Sequence, residues 1–198
     1  ESICEKMKEK IILTDIDGVW LNWEQSFTDY LDRYYKIKRK DSSKYEAHLR
    51  WTGTDEQLRQ LIWHFNMSSW SRYLKPFRDA QTVVPKLAEE GWKFIGITSM
   101  HEDEYSHRLR EENLKELFGD VFEKVIILNT GEDKGNALLP WKNSGYYWLE
   151  DKVKNVKLGV EMGLNTIMMR HDYIAYYDNA KITKVDNWQQ IHYYINKR

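Results

Sequence analysis

The sequence predicts a doubly wound α/β fold, a parallel sheet with helices on its faces and a small helical insertion. Two observations predict it. Five short apolar runs are separated by stretches with helical periodicity, the alternation expected of a parallel sheet. Polar, chemistry-bearing residues follow the runs directly, and ligands of such sheets bind beyond the carboxyl ends of the strands.

The first run is Ile11-Ile12-Leu13, followed by Thr14-Asp15-Ile16-Asp17-Gly18-Val19. A strand buried on both faces reads as a continuous apolar run. Phe27, Tyr30, Leu31 and Tyr34 then recur at helical spacing and predict a helix over 24–35. Residues 37–43 are basic and polar and read as a loop, and 45–51 as a short helix. Thr54-Asp55-Glu56-Gln57 is a capping box, with Leu58, Leu61, Ile62 and Phe65 on one face of the helix that follows. The next helix is expected over 79–90, ended by Gly91, with Pro85 kinking it or shifting its start. Phe94-Ile95-Gly96-Ile97-Thr98-Ser99 is the second strand, and 105–118 an amphipathic helix with Leu109, Leu114 and Leu117 inward. Strands follow at 125–128, 146–149 and 166–169, with a helix over 153–162 between the last two. A closing helix runs over 188–195, with Trp188, Ile191 and Ile195 on one side. The expected organisation is a core of 1–21 and 77–198, with 22–76 inserted as a helical cap after the first strand.

The composition bounds the function. In 198 residues, 41% hydrophobic with nine Trp and thirteen Tyr, there is enough apolar material for one substantial core. Thirty basic residues against 31 acidic leave a net charge of −1, so no global field favours polymeric nucleic acid or a membrane surface. No apolar run approaches the ~20 residues of a membrane span. Cys4 is the sole cysteine, which excludes an internal disulfide and fits a reducing compartment. The opening Glu-Ser-Ile-Cys-Glu-Lys does not read as a signal peptide, and a cytoplasmic location is expected.

The strand ends carry the chemistry. Asp15 and Asp17 end the first strand, and two nearby anions at a buried strand end need compensation, which a hard divalent cation such as magnesium supplies. With glycine fourth in this stretch, the pattern is not an EF-hand loop. Thr98 and Ser99 end the second strand with hydroxyls suited to a phosphate oxygen. Thr130-Gly131-Glu132-Asp133-Lys134 follows the third strand, and Glu150 and Asp151 end the fourth. Each has a plainer alternative: Thr98 also fits a helix cap, Lys134 a solvated loop charge, and Glu150-Asp151 an acidic helix start. Four strand ends with complementary groups outweigh those alternatives jointly.

These residues resemble the four motifs of the haloacid dehalogenase superfamily, matching Asp15-Ile16-Asp17-Gly18, Thr98, Lys134 and Glu150-Asp151 in order. Asp15-Ile16-Asp17-Gly18-Val19 with Trp23, Ile97-Thr98-Ser99, and the stretch from Phe118-Gly119-Asp120 to Asp133-Lys134 are similar to the 5'(3')-deoxyribonucleotidases. Glu150 and Met100 depart from that pattern, standing where those enzymes have aspartate and tend to have proline. The resemblance implies a magnesium-dependent phosphomonoester hydrolase acting on a nucleoside monophosphate. It implies Asp15 as nucleophile and Asp17 as acid and base. The metal would be held by the Asp15 and Asp151 carboxylates and the Asp17 carbonyl, with Glu150 acting through water. Thr98, Ser99 and Lys134 would hold phosphate, and Trp23 would stack on the base. Trp20, Trp63, Trp70 and Tyr73 are expected mostly in the core. His101 reads as a polar loop residue within reach of substrate. A sugar phosphate or other small ester is the alternative substrate, and a non-catalytic phosphate-binding module the alternative class.

Overall fold

The structure, a computed structural model, describes residues 9–197, so Cys4 and the opening Glu-Ser-Ile-Cys-Glu-Lys lie outside the described residues. Six strands form one parallel sheet: β1 (Ile11–Thr14), β2 (Lys93–Met100), β3 (Phe122–Asn129), β4 (Tyr147–Glu150), β5 (Asn165–Met169) and β6 (Ile182–Val185). Their order is β3-β2-β1-β4-β5-β6. The chain builds outward from β1 to β3 and then returns to the other side of β1, so the order reverses between β1 and β4. A crevice opens at such a reversal.

β1 shows why the apolar run forms a buried strand. Ile12 packs into one hydrophobic cluster while Ile11 and Leu13 pack into another, so successive side chains enter cores on opposite faces. Burying each such side chain contributes about 1.5–3 kcal/mol. One face is covered by α5 (Ala80–Glu89), α6 (Glu104–Phe118) and α9 (Trp188–Asn196), which supply Val83, Val84, Leu87, Leu114, Phe118, Trp188, Ile191 and Ile195. Leu138 from α7 (Lys134–Leu138) and Leu164, which follows α8 (Val153–Glu161), pack on the other.

Four helices lie between β1 and α5: α1 (Trp23–Tyr35), α2 (Ala47–Arg50), α3 (Asp55–Asn66) and α4 (Ser69–Arg72). The chain leaves and re-enters the core side by side, where Leu21 pairs with Pro76 and Asn22 N–H donates to the Lys75 carbonyl at 2.9 Å. Thr54 caps α3, its hydroxyl accepting from Gln57 N–H at 3.1 Å. Phe27 of α1, Phe65 of α3 and Trp51 pack edge to face within this layer.

Several expectations are corrected. β6 and α4 were not predicted. Ile182-Thr183-Lys184-Val185 is a short, partly polar edge strand, and α4 has four residues, so neither shows clear periodicity. Pro85 sits inside α5, which runs through it and lacks one backbone donor there. β3 begins at Phe122, three residues before its apolar run, and its register against β2 shifts just after Phe122, between the partners of Phe94 and Ile95. Of the aromatics expected in the core, Trp20 is fully buried and Trp70 half-buried. Trp63 and Tyr73 are exposed: Trp63 lies off the buried Leu58, Leu61 and Phe65 stripe of α3, beside His101, and Tyr73 follows the end of α4.

Candidate active site

The crevice at the β1/β4 reversal is a cleft of about 450 Å³. Its floor is made by strand-end residues, and its opposite wall by Trp23, Glu24, Tyr45, Arg50, Trp51 and Asn66 from the inserted helices and their loops. Asp15 is fixed through its backbone: its N–H donates to the Leu149 carbonyl at 2.9 Å. Its carbonyl accepts from the Thr14 hydroxyl at 2.7 Å, and that hydroxyl accepts from the buried Trp20 indole N–H at 2.9 Å. Gly18 turns the chain at φ +80°, and a Cβ there would collide with the Asp151 carboxylate, so the turn requires glycine twice over.

Lys134, at the start of α7, is buried with its Nζ 2.8 Å from Asp15 Oδ1 and 3.1 Å from Glu150 Oε2. Glu150 is fully buried, and one of its oxygens also accepts the backbone N–H groups of Asp151 and Lys152 at 2.9 and 3.2 Å. One oxygen each from Asp15, Glu150 and Asp151 lie within 4.8 Å of one another. One lysine faces three buried carboxylates, so the fully ionised cluster would carry an excess of negative charge. Converging hard oxygens with unbalanced charge fit a divalent cation such as magnesium.

The protonation equilibria follow from this crowding. Burial pushes Glu150 up to about 7, reinforced by the Asp15 charge. Burial likewise raises Asp151 well above the carboxylate range, with Asp15 and Glu150 adding to it. For Asp15 burial is outweighed by the Lys134 ammonium, and the net direction is down. For Lys134 burial is outweighed in turn by Asp15 and Glu150, and the net direction is up. Asp17 is raised by burial, against the opposing pull of Arg110.

The structure brings Asp15, Lys134, Glu150 and Asp151 together as one cluster. Asp17 lines the same cleft but is ion-paired with Arg110. Ser99 and Met100 of β2 and His101 just after it line the cleft, whereas Thr98 is buried within the strand. His101 has a buried Nδ1 with no partner among the described residues, and burial lowers its pKa. Trp23 lines the cleft, stacks on Phe27 at 4.8 Å and donates its indole N–H to Asn66 Oδ1 at 2.9 Å.

Sequence reasoning missed four site residues. The Tyr173 hydroxyl donates to Asp151, and the His171 Nε2–H donates to the Gly18 carbonyl at 2.7 Å while lying 3.5 Å from Asp151. His171 is stacked between Phe77 and Tyr173, and burial pushes its pKa down to about 4. Arg50, buried, pairs with Glu24 and lies 4.6 Å over the Tyr173 ring. Arg110 had a readable signal: with Ser106 and Asn113 it shares the inward stripe of α6, an unusual place for charge. Tyr173 and His171 lie in a loop with no periodicity to mark them.

Comparison with solved structures places this architecture. A haloacid dehalogenase-like hydrolase from Streptococcus pneumoniae superposes with a TM-score of 0.66 at 10% identity, over 95% of this chain and 99% of that one. The fold is that of the haloacid dehalogenase-like hydrolases. A D,D-heptose 1,7-bisphosphate phosphatase from B. bronchiseptica, in complex with magnesium and phosphate, shares this fold with a TM-score of 0.61 at 8% identity, over 95% and 98% of the two chains. The L-2-haloacid dehalogenase of Xanthobacter autotrophicus does so with 0.60 at 12% identity, over 94% and 98%. No family model matches the sequence. A curated relative, an uncharacterised 32.4 kDa protein of Enterobacteria phage T4, is 31% identical over 129 residues, 62% of this chain. The match spans 46% of that protein, less than half its length. Within the haloacid dehalogenase-like fold, the acidic cluster lies at the carboxyl ends of β1 and β4. Among the described residues no helix is long and apolar enough to cross a membrane.

Proposed function

We propose that this protein is a magnesium-dependent phosphomonoester hydrolase working through an aspartyl-phosphate, with a nucleoside monophosphate as its substrate. The observation that carries the reading is the buried Asp15–Lys134–Glu150–Asp151 cluster facing a cleft of about 450 Å³. Asp15 attacks phosphorus, forming an Asp15 O–P bond as the ester P–O bond breaks, and Asp17 gives its proton to the departing alcohol. Water then attacks phosphorus, Asp17 takes the water proton, and phosphate leaves with Asp15 restored. Lys134 offsets negative charge on the phosphoryl group, with Ser99 in the cleft as a further phosphate contact and Thr98 buried beneath it. The Asp15 and Asp151 carboxylates and the Asp17 carbonyl would hold magnesium, with Glu150 acting through water. When bound, the ion offsets the charge of the phosphate and of its anionic nucleophile.

Residues 22–76 act in this reading as a cap that selects the ester. Trp23 in the cleft wall supports a planar base as the leaving group's distal part, since a base stacked on an aromatic ring contributes about 1–3 kcal/mol. A sugar phosphate is the second reading, favoured by the heptose bisphosphate phosphatase that shares the fold. The test is a phosphate-release screen over nucleoside monophosphates and sugar phosphates, with magnesium and with EDTA. Magnesium-dependent release, lost in Asp15→Asn, is expected. Release unaffected by EDTA or by Asp15→Asn would overturn the reading, and preference for a sugar phosphate would move it to the second substrate class.

A further inference from the structure

Arg110, in the middle of α6, has a side chain with no exposed surface. Its Nη1 is ion-paired with Asp17 Oδ1, and its Nη2 donates to the Ser71 hydroxyl of α4 at 3.3 Å. Its Nε is buried without a partner among the described residues. Asp17 is the one carboxylate paired with this guanidinium among the described residues. The same helix holds α4 at further points. The Asn113 amide accepts from the Leu74 N–H and donates to the Leu74 carbonyl, both at 3.1 Å, and Arg72 pairs with Glu112 and Glu116. α6 therefore touches the candidate acid/base with one side chain and the end of the inserted helices with several.

A cation placed wholly out of water is strongly unfavourable without an anionic partner. A surface arginine would satisfy any structural need at that edge of α6. The buried one does something a surface residue cannot, because it is held by the helix and cannot follow Asp17 into solvent. A carboxylate just past a strand has several staggered rotamers. A fixed N–H on Oδ1 selects among them and leaves Oδ2 with no protein partner among the described residues.

We propose that Arg110 is the positioning residue for Asp17: it holds Oδ1 so that Oδ2 is presented to the leaving-group oxygen. Through Ser71, that aim depends on how α4 is seated against α6. The inference rests on the reading of Asp17 as acid and base.

The test compares two esters with magnesium, p-nitrophenyl phosphate, whose leaving group needs little protonation, and a 2'-deoxyribonucleoside 5'-monophosphate, whose alcohol does. Arg110→Met is expected to lower kcat on the nucleotide by about 10–100-fold, less than the ~10²–10⁴-fold of losing the acid outright because Asp17 remains, with KM little changed. The first release of nitrophenolate is expected to be spared. Asp17→Asn combined with Arg110→Met is expected to be no slower than Asp17→Asn alone, and to melt higher because the unpaired buried cation is gone. Arg110→Gln makes the same comparison where Arg110→Met does not yield folded protein. Ser71→Ala is expected to shift the ratio of the two esters in the same direction by a few-fold.

Equal slowing of the first alcohol release from both esters, or losses from Asp17→Asn and Arg110→Met that multiply in the double variant, would overturn the proposal. An unchanged ratio in Ser71→Ala would overturn the link to α4. Full nucleotide turnover by Asp17→Asn alone would instead overturn the acid/base reading itself, whatever Arg110 does.

Discussion

Lys134 Nζ lies 2.8 Å from Asp15 Oδ1, although 119 positions separate the two residues in the chain. The contact joins the end of β1 to the start of α7, and the same ammonium reaches Glu150 at 3.1 Å. Both carboxylates are therefore tolerated in the interior through one cation. Lys134→Met should leave them buried and unpaired, a loss of about 3–5 kcal/mol by the scale for breaking buried ion pairs. Thermal melting of the metal-free variant measures this. Magnesium should restore part of the stability without restoring turnover.

The same crowding sets a pH dependence. Glu150 has a pKa of about 7 in the folded protein against an ordinary 4.5. Between those values the folded state holds a proton that the unfolded chain has released, so the stability this group contributes is present at low pH and is lost as pH rises through about 7. A cation favours the ionised cluster, and its binding displaces the retained protons. The melting-temperature gain from magnesium should therefore grow between about pH 5 and about pH 8. Melts in EDTA and in saturating magnesium across that range give the answer, and a gain independent of pH would contradict it.

Tyr173 donates its hydroxyl to Asp151 and packs face to face with His171. A partner of this kind fixes the orientation of a metal-ligating carboxylate, and its loss typically weakens metal affinity ~10–100-fold. Tyr173→Phe should raise the magnesium concentration needed for half-maximal activity by that order while the saturated rate changes little. Asp151→Asn should have the larger effect. Magnesium titrations of phosphate release distinguish the two.

Trp23 has two attachments besides the cleft, the Phe27 stack and the hydrogen bond to Asn66. Trp23→Ala should therefore cost stability, about 3–5 kcal/mol on the scale for large aromatic truncations. It should also raise KM for nucleotides while sparing p-nitrophenyl phosphate once the protein is folded, because binding far from the reacting bond is lost and the chemistry is not. Trp23→Phe, which keeps a ring, separates the two effects. Equal KM values for both variants and the parent protein would make Trp23 a purely structural residue.

Much of the architecture was legible because it is written in local pattern. Ile11-Ile12-Leu13 reads as a strand because both of its faces are buried, and the Thr54 capping box marks the start of α3 because its backbone donors need acceptors nearby. Asp15, Lys134, Glu150 and Asp151 could be picked out because charged residues directly after apolar runs conflict with burial unless they have work to do. Their convergence was decided in space. The parallel order β2-β1-β4 carries the ends of β1 and β4 side by side, and no local pattern states which strands will be neighbours. Arg110 shows the limit most clearly. In His107-Arg108-Leu109-Arg110-Glu111-Glu112 its place on the inward stripe marks it as unusual but names no partner, and it becomes the buried partner of Asp17 when α6 docks against α4. Tyr173 and His171 come from a loop whose path is set by what it packs on, Phe77 and the Asp151 carboxylate, rather than by its own periodicity. Local sequence determined the elements and the reactive groups at their ends, because helix and strand patterns are short-range. Tertiary structure decided their partners, because burial and pairing of charge depend on surfaces that meet only when the sheet is assembled.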